Sequence, residues 1–286
     1  MNMEKLLKGK IVADALDEKT LVRVGKLKEK GLVPKLAIVR VGENESDLSY
    51  ERGALKRCDK LGIEVEKHVL DMSCSQEELI DVIHSLNDDK SVHGVLMFRP
   101  LPKSFDEDVV CNELIAKKDV DGITRGSNAY IYSSKGSGFE PCTAGAVIDI
   151  LKHYDIDIAG KKVVVVGRSL VIGKPVSMLF LNENATVTIC HSKTKDMKEI
   201  TKSADIVVAA IGKAEFLDDE FFSENQIIID VGINYSDEKK KLVGDVNFEN
   251  MEGKAIAITP VPGGVGSVTT AELAKHVVMA AENLTK

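Results

Sequence analysis

Four consecutive valines, Val163 to Val166, run directly into Gly167-Arg168-Ser169, with Gly173 and Pro175 close behind. A β-branched run without polar alternation is the pattern of a strand buried on both faces, and a glycine at its end hands the chain to a helix. Such a unit must be covered by helices on both sides, which points to α/β architecture with a mainly parallel sheet. The rest of the chain repeats the alternation. Strands are expected at Leu36–Val41, Ile63–Leu70, Val92–Phe98, Lys161–Val166, Thr186–Cys190, Ile206–Ala210 and Ile227–Val231. Helices are expected at Ser49–Leu61, Gln76–Leu86, Thr143–Tyr154, Gly173–Leu181 and Thr269–Asn283. Ser75 with Glu78, and Thr269 with Glu272, have the spacing of capping boxes.

At 286 residues the chain has room for about two domains of roughly 150 residues each. A turn-rich stretch from Asp119 to Pro141, holding Gly122, Gly126, Gly136 and Gly138, marks the boundary between two alternating series. The expected division is 1–122 and 140–266, with the C-terminal helix, 267–286, packing back on the first domain. With 38 Lys+Arg against 45 Asp+Glu, the net charge of −7 offers no general field for nucleic acid or an anionic membrane. Aromatics make up 5% and Trp is absent, which argues against base-stacking platforms. The five cysteines form no CxxC pair, and the six histidines show no metal-ligand spacing, so no metal is expected. Reduced thiols, together with no apolar leader within Met1 to Lys10 and no apolar run of membrane-spanning length, give a cytoplasmic expectation.

The strand, glycine turn and helix around Gly167 form the arrangement in which a dinucleotide pyrophosphate docks on helix amides. The spacing is neither GxGxxG nor a Walker loop, so an ordinary strand-to-helix turn is the competing reading. Dinucleotide folds that choose NAD place an acid about 20 residues beyond the glycine turn. Here that region reads Cys190-His191-Ser192-Lys193-Thr194, which offers donors to a 2′-phosphate, as does Arg168. NADP is therefore favoured over NAD. Gly212 and the Gly232-Ile233-Asn234 segment end two further strands and are read as places where backbone approaches a flat ligand. Pro260 to Gly266 is too rich in Pro and Gly for regular structure and is read as a rigid ligand-contacting loop.

Taken in order, Lys118-Asp119-Val120-Asp121-Gly122, Gly167-Arg168-Ser169 with Gly173 and Pro175, His191-Ser192-Lys193-Thr194, and Pro260 to Gly266 resemble the bifunctional methylenetetrahydrofolate dehydrogenase/cyclohydrolase family. The likeness spans essentially the whole chain. It implies an N-terminal α/β folate domain and a Rossmann-like NADP domain, an active site in the cleft between them, tetrahydrofolate derivatives as substrates, and a homodimer. By position it makes Tyr50 a stacking partner for the pterin-side rings and Asp121 a hydrogen-bonding partner of the pterin. Pro100, Leu101, Pro262, Gly263, Gly264, Val265 and Gly266 would line the substrate site. Gly167, Arg168, Ser169, Gly173, Pro175, Ser192, Gly212 and Ile233 would contact NADP.

Two departures from the family pattern stand out. The family keeps a lysine four residues after the tyrosine, one helical turn on and on the same face; here it is Ala54. The family's Gln-Leu-Pro-Leu is here Phe98-Arg99-Pro100-Leu101, so the glutamine that partners the lysine is Phe98. Lys56, about 240° around the helix from Tyr50, points elsewhere, and Arg57 lies roughly 10 Å along the axis. Ala144 and Ser267 replace prolines and are expected to alter loop stiffness only. Hydride transfer needs the two rings positioned and no protein base, whereas hydrolysis of the methenyl cation needs proton transfers. The expectation is an NADP-dependent dehydrogenase with weak or absent cyclohydrolase activity. The alternatives are a fully bifunctional enzyme, a non-catalytic folate or NADP binder, and a two-domain dehydrogenase resembling shikimate dehydrogenases.

Overall fold

The computed structural model describes residues 5–251 and 255–285. In chain order the elements begin with β1 (Lys5–Leu6), α1 (Gly9–Glu29), β2 (Lys35–Val41), α2 (Glu45–Leu61), β3 (Glu64–Leu70), α3 (Gln76–Asp88), β4 (Gly94–Met97), α4 (Glu107–Asn112) and α5 (Arg125–Ser133). There follow α6 (Cys142–His153), β5 (Lys162–Val166), α7 (Gly173–Asn182), β6 (Thr186–Cys190), α8 (Met197–Lys202), β7 (Ile206–Ala209), β8 (Gln226–Asp230), β9 (Asn234–Ser236), β10 (Lys241–Val243), β11 (Ala255–Ile258) and α9 (Thr269–Leu284). The chain divides into two compact units. One contains Ala15–Cys142 and the residues from Thr270 onward; the other contains the described residues up to Asp14 and Thr143–Thr269.

The first unit is built on a parallel sheet in the order β3-β2-β4. Because side chains alternate along a strand, β2 serves two cores. Leu36 and Ile38 face a cluster with Val24 and Leu27 of α1, Ala54, Cys58 and Leu61 of α2, and Leu273, Val277 and Ala281 of α9. Ala37 and Val39 face the opposite cluster, with Leu79, Ile83 and Leu86 of α3 and Val110 of α4. The Ser75 capping box forms in full: its hydroxyl accepts from the Glu78 amide at 3.2 Å, and the Glu78 carboxylate accepts from the Ser75 amide at 2.7 Å. Thr269 does not cap α9 in the expected way. It is the first helical residue, and its hydroxyl donates to the Gly266 carbonyl at 3.1 Å.

The second unit holds an all-parallel sheet in the order β1-β11-β8-β7-β5-β6. β5, central and completely buried along its valines, pairs with β6 on one side and β7 on the other, so the chain reverses its direction of travel across the sheet at β5. Ligands of doubly wound sheets bind outside the carboxyl ends of the strands at such a switch point. The registers Val166↔Cys190, Val166↔Ala209 and Ala209↔Asp230 bring the segments starting at Gly167, His191, Ala210 and Val231 side by side along that edge. Residues 5 and 6 join this sheet by pairing with Ala257 and Ile258, which is why the start of the chain groups with this unit and not with the 1–122 division read from composition.

Two elements differ from the sequence expectation. α1 carries a buried stripe of Val12, Asp17, Thr20, Val24 and Leu27, whose helical period is masked by two polar members. α5 lies within the stretch read as turns; Thr124 caps it, accepting from the Ser127 amide at 3.1 Å. Among the described residues no helix is long and apolar enough to cross a membrane.

Candidate active site

Two groups of the expected site residues form, one in each unit. In the first unit, Tyr50 and Ala54 lie one turn apart on α2, capped at its start by Asn44, and Phe98 immediately follows β4. Ala54 is 1% exposed and Phe98 9% exposed, both in the same apolar cluster. The Tyr50 and Phe98 rings meet edge to face, with centroids 6.0 Å apart and planes at 82°. Position 54 is therefore a methyl group in a packed wall. Lys56 is exposed, and Arg57 is committed elsewhere on α2, donating to Asp17 at 2.6 Å and to Thr270 Oγ1 at 2.9 Å. Past Phe98 the chain turns through Arg99 and Pro100, joined by a cis peptide, to Leu101. Pro100 is exposed, while Leu101 is buried with its amide held by the Glu107 carboxylate at 2.8 Å.

Asp121 sits in a turn whose shape is set by its neighbours. Lys118 is buried and donates to the carbonyls of Leu86, Asn87 and Asp89, closing the end of α3. Asp119, fully buried, accepts from the amides of Ile123 and Thr124 and from the Ser127 hydroxyl at 2.6 Å. The turn-forming carboxylate is thus Asp119, which leaves Asp121, half-buried, outside that role. Gly122 has φ 66°, and a Cβ there would strike the backbone of Glu140 and Pro141. Burial raises the Asp121 pKa, opposed by the Cys142 thiol that hydrogen-bonds it and by the charge of Arg99.

In the second unit, Gly167 has φ 136°, and any Cβ would collide with the Ala210 carbonyl, so the turn after β5 requires glycine. Gly173 is pressed against the Gly167 carbonyl in the same way. The start of α7 does not present the open row of amides expected from the motif. The Gly173 amide is directed at Ser169 Oγ at 3.4 Å, Lys174 donates to the Ser169 carbonyl at 3.0 Å, and Pro175 has no amide hydrogen. Gly173 and Pro175 are buried and shape the turn, while Arg168 and Ser169 are exposed. After β6, the His191 amide donates to Thr194 Oγ1 at 2.9 Å and the Lys193 amide to His191 Nδ1 at 3.1 Å, which leaves Ser192 and Lys193 exposed at the turn's tip.

Gly212, at φ 71°, and Gly232, whose missing Cβ leaves room for Asp245, are held by the fold itself. Asp245, fully buried, accepts from the amides of Ile211, Gly212 and Lys213 and from Asn234 Nδ2, and a Cβ on Gly232 would meet its carboxylate. Asp230 likewise accepts from the amides of Gly232, Asp245 and Val246. Its pKa is pushed up to about 7, mainly by burial and also by the nearby Asp245 charge, against the pull of those three amides. A pocket of about 140 Å³ is lined by Asp230 to Ile233, Leu242 and Pro260 to Ser267. Within it Ile233, 59% exposed, faces Gly266, where a Cβ would touch its Cδ1. Pro262, Gly263 and Gly266 are exposed, whereas Val265 turns its side chain inward at 2% exposure. The Gly263 carbonyl accepts from the Gly9 amide at 2.8 Å, anchoring the loop to the start of α1.

The fit to a phosphorylated dinucleotide rests on this edge. It combines a turn too tight for any side chain at Gly167, exposed donors on Arg168, Ser169, Ser192 and Lys193, and no carboxylate in the His191–Lys195 turn. Residues 141–285 match the model of the tetrahydrofolate dehydrogenase/cyclohydrolase NAD(P)-binding domain, and residues 7–121 match that of the same family's catalytic domain. The chain belongs to the tetrahydrofolate dehydrogenase/cyclohydrolase family. It is 52% identical over 278 residues to the bifunctional protein FolD of Alkaliphilus oremlandii, covering 97% of each chain. Its fold superposes on the FolD methylenetetrahydrofolate dehydrogenase/cyclohydrolase of Campylobacter jejuni with a TM-score of 0.94 at 39% identity, over 98% of this chain and 99% of that one. The Trypanosoma brucei FolD, solved with NADP cofactor and an inhibitor, gives 0.92 at 31% identity and full coverage of both chains.

For this family member, sequence reading gave no role to the buried carboxylates Asp119 and Asp230, although both fall in segments it singled out, and missed Asp245. It also missed a cluster on α9. Glu272 and His276, one helical turn apart, meet Glu140, with His276 Nε2 3.4 Å from Glu140 Oε1 and 3.6 Å from Glu272 Oε2. The i,i+4 spacing on one helix face was the available signal.

Proposed function

We propose that the chain oxidises 5,10-methylenetetrahydrofolate to the 5,10-methenyl cation with NADP as acceptor, and that its cyclohydrolase step is weak or absent. NADP, when bound, supplies the carbon that accepts the hydride. The part of the protein is to hold two ring systems in contact, worth several orders of magnitude in rate without any protein base. Tyr50 offers the folate a ring face, Asp121 an acceptor for pterin N–H groups, and the Pro262–Gly266 loop a rigid wall. Arg168, Ser169 and Ser192 donate to the phosphates of NADP, with Gly167 allowing close backbone approach. The proposal includes a homodimer, carried by the family likeness alone, and a cytoplasmic setting, carried by the reading of the cysteines as reduced thiols.

The observation that carries the cyclohydrolase reading is the Ala54–Phe98–Tyr50 wall. Water attack on the methenyl cation needs a proton carrier at the ring nitrogens. A methyl at position 54 and a phenyl at position 98 cannot move a proton, and Arg57 is held by Asp17 and Thr270. The second reading, a bifunctional enzyme, is favoured by the name of the Alkaliphilus relative and would need a proton carrier other than position 54. The two are separated by assaying hydride transfer and methenyl hydrolysis on one preparation, with NADP and NAD offered in parallel. Turnover with NADP and methenyl decay at the buffer rate are expected. Enzyme-accelerated decay comparable to hydride transfer would establish the bifunctional reading, and absence of any turnover would favour a binding protein.

A further inference from the structure

We propose that His276 is a positioning residue for Asp121: it holds the Val120–Asp121 turn and, through Cys142, directs a thiol hydrogen bond onto the Asp121 carboxylate. The inference rests on the reading of Asp121 as a folate contact. His276 is fully buried on α9. Its Nδ1 lies 2.9 Å from the Val120 carbonyl, a pure acceptor, so Nδ1 carries a hydrogen. Its Nε2 faces carboxylate oxygens of Glu140 and Glu272 at 3.4 and 3.6 Å. A neutral ring with the proton on Nδ1 would point a lone pair at two carboxylates. A doubly protonated ring satisfies both sides. With Lys275 Nζ 2.5 Å from Glu272 Oε2, the pocket then balances two carboxylates with two cations. A divalent metal among the same groups would have to displace that ammonium or leave an excess positive charge.

The Cys142 thiol has one proton and three groups beside it. They are the Val120 carbonyl at 3.4 Å, the Asp121 carboxylate, and His276 Nδ1 at 3.8 Å, which is no acceptor while it carries its own hydrogen. Burial and the surrounding carboxylates keep the thiol protonated. When His276 Nδ1–H occupies the Val120 carbonyl, the thiol is free to serve Asp121. Loss of one proton from His276 leaves a single N–H for two sides of the ring, and the two carboxylates draw it to Nε2. The thiol then turns to the Val120 carbonyl or to the bared Nδ1, and Asp121 loses its donor. The groups that govern this proton are Glu140 in the segment before α6, Cys142 on α6, Glu272 and Lys275 on α9, and Asp121 with Arg99 and Asp119 behind it. Although burial opposes the charge, Glu140 and Glu272 together raise the His276 pKa. The arrangement is therefore lost as pH rises through a His276 pKa held above the ordinary imidazole value.

The test is the KM for methylenetetrahydrofolate from neutral to alkaline pH, with kcat and the KM for NADP measured alongside. The wild type is compared with His276→Gln, Cys142→Ala, Cys142→Ser and Asp121→Ala, each checked for folding by its thermal midpoint. Wild-type folate KM should rise with pH. Cys142→Ala should raise it about tenfold at neutral pH and flatten the profile, because a hydrogen bond to a charged group is lost. Cys142→Ser, which keeps a donor, should restore the pH dependence, and the KM for NADP should stay within about twofold throughout. His276→Gln, if folded, should match Cys142→Ala; if it does not fold, the two cysteine variants decide. A folded Cys142→Ala enzyme with wild-type folate KM and profile overturns the proposal. So does stoichiometric zinc in the purified wild type that disappears in His276→Gln. If Asp121→Ala leaves folate KM unchanged, the folate-contact reading itself fails and this inference with it. If Asp121→Ala raises KM while Cys142→Ala does not, only the coupling fails.

Discussion

At position 54 the side chain ends at Cβ, buried in the apolar cluster that also holds Phe98 and one helical turn from Tyr50. Replacing it by lysine would put an ammonium into an apolar cluster, which costs several kcal/mol where the charge stays unpaired. Ala54→Lys alone should therefore lower the thermal midpoint. Paired with Phe98→Gln, which supplies an amide oxygen, it should recover stability and gain methenyl hydrolysis above the buffer rate. Scanning calorimetry and a hydrolysis assay on the single and double variants check both halves. Glu140 makes a second residue-scale prediction. Burial would raise its pKa, but His276 and Lys275 override that and bring it to about 2. A carboxylate depressed in the folded state contributes stability above its ordinary value near 4.5 and loses it as pH falls towards 2. The wild type should exceed Glu140→Gln in urea midpoint at pH 6, and the gap should narrow below pH 4.5 and close only as pH falls through about 2. A gap that does not narrow between pH 6 and pH 2 would contradict the ion-pair account. Both positions show the limits of sequence reading. Ala54 and Phe98 stand out against the family pattern, whereas the partners of His276 come from two distant segments, and only the i,i+4 pair on α9 could be seen in advance.

At the scale of the element, the β5–turn–α7 unit was legible because its signals are local: a valine run, then glycines at positions that admit no side chain. Gly167→Ala should strain a backbone at φ 136° and push on the Ala210 carbonyl. The expected result is a large rise in the KM for NADP, an order of magnitude or more, with a thermal midpoint lowered by several degrees. An unchanged KM would mean that this turn does not approach the cofactor. The open helix amides expected from the same motif are absent, since Ser169 and Pro175 account for the first turn of α7. Phosphate recognition then falls on side chains, so Arg168→Ala should raise the KM for NADP about tenfold while changing that for NAD little, which steady-state kinetics with both cofactors can read. α1 escaped notice because Asp17 and Thr20 interrupt its apolar stripe, and Asp17 is there to bind Arg57 and Lys60 of α2. α5 escaped because Gly126 and the glycines beyond its end look like turn chemistry, and its cap, Thr124, was not weighed against them.

For the whole molecule, the division of labour is clear in chain order. The alternation of strands and helices gave the α/β class, and the two series correspond to two family models that match 7–121 and 141–285. What composition could not reveal was the return of the first residues to the second unit's sheet, because a two-residue edge strand carries too little pattern to be seen. The proposed function has this family member transfer hydride and leave methenyl hydrolysis at the buffer rate. The most direct measurement is a progress curve that counts NADPH and methenyltetrahydrofolate together, in one cuvette, at a pH where uncatalysed hydrolysis is slow. Equal amounts of the two are expected throughout the reaction, with the ratio independent of enzyme concentration. A methenyl yield that falls below NADPH, and falls further as enzyme is added, would contradict the proposed function.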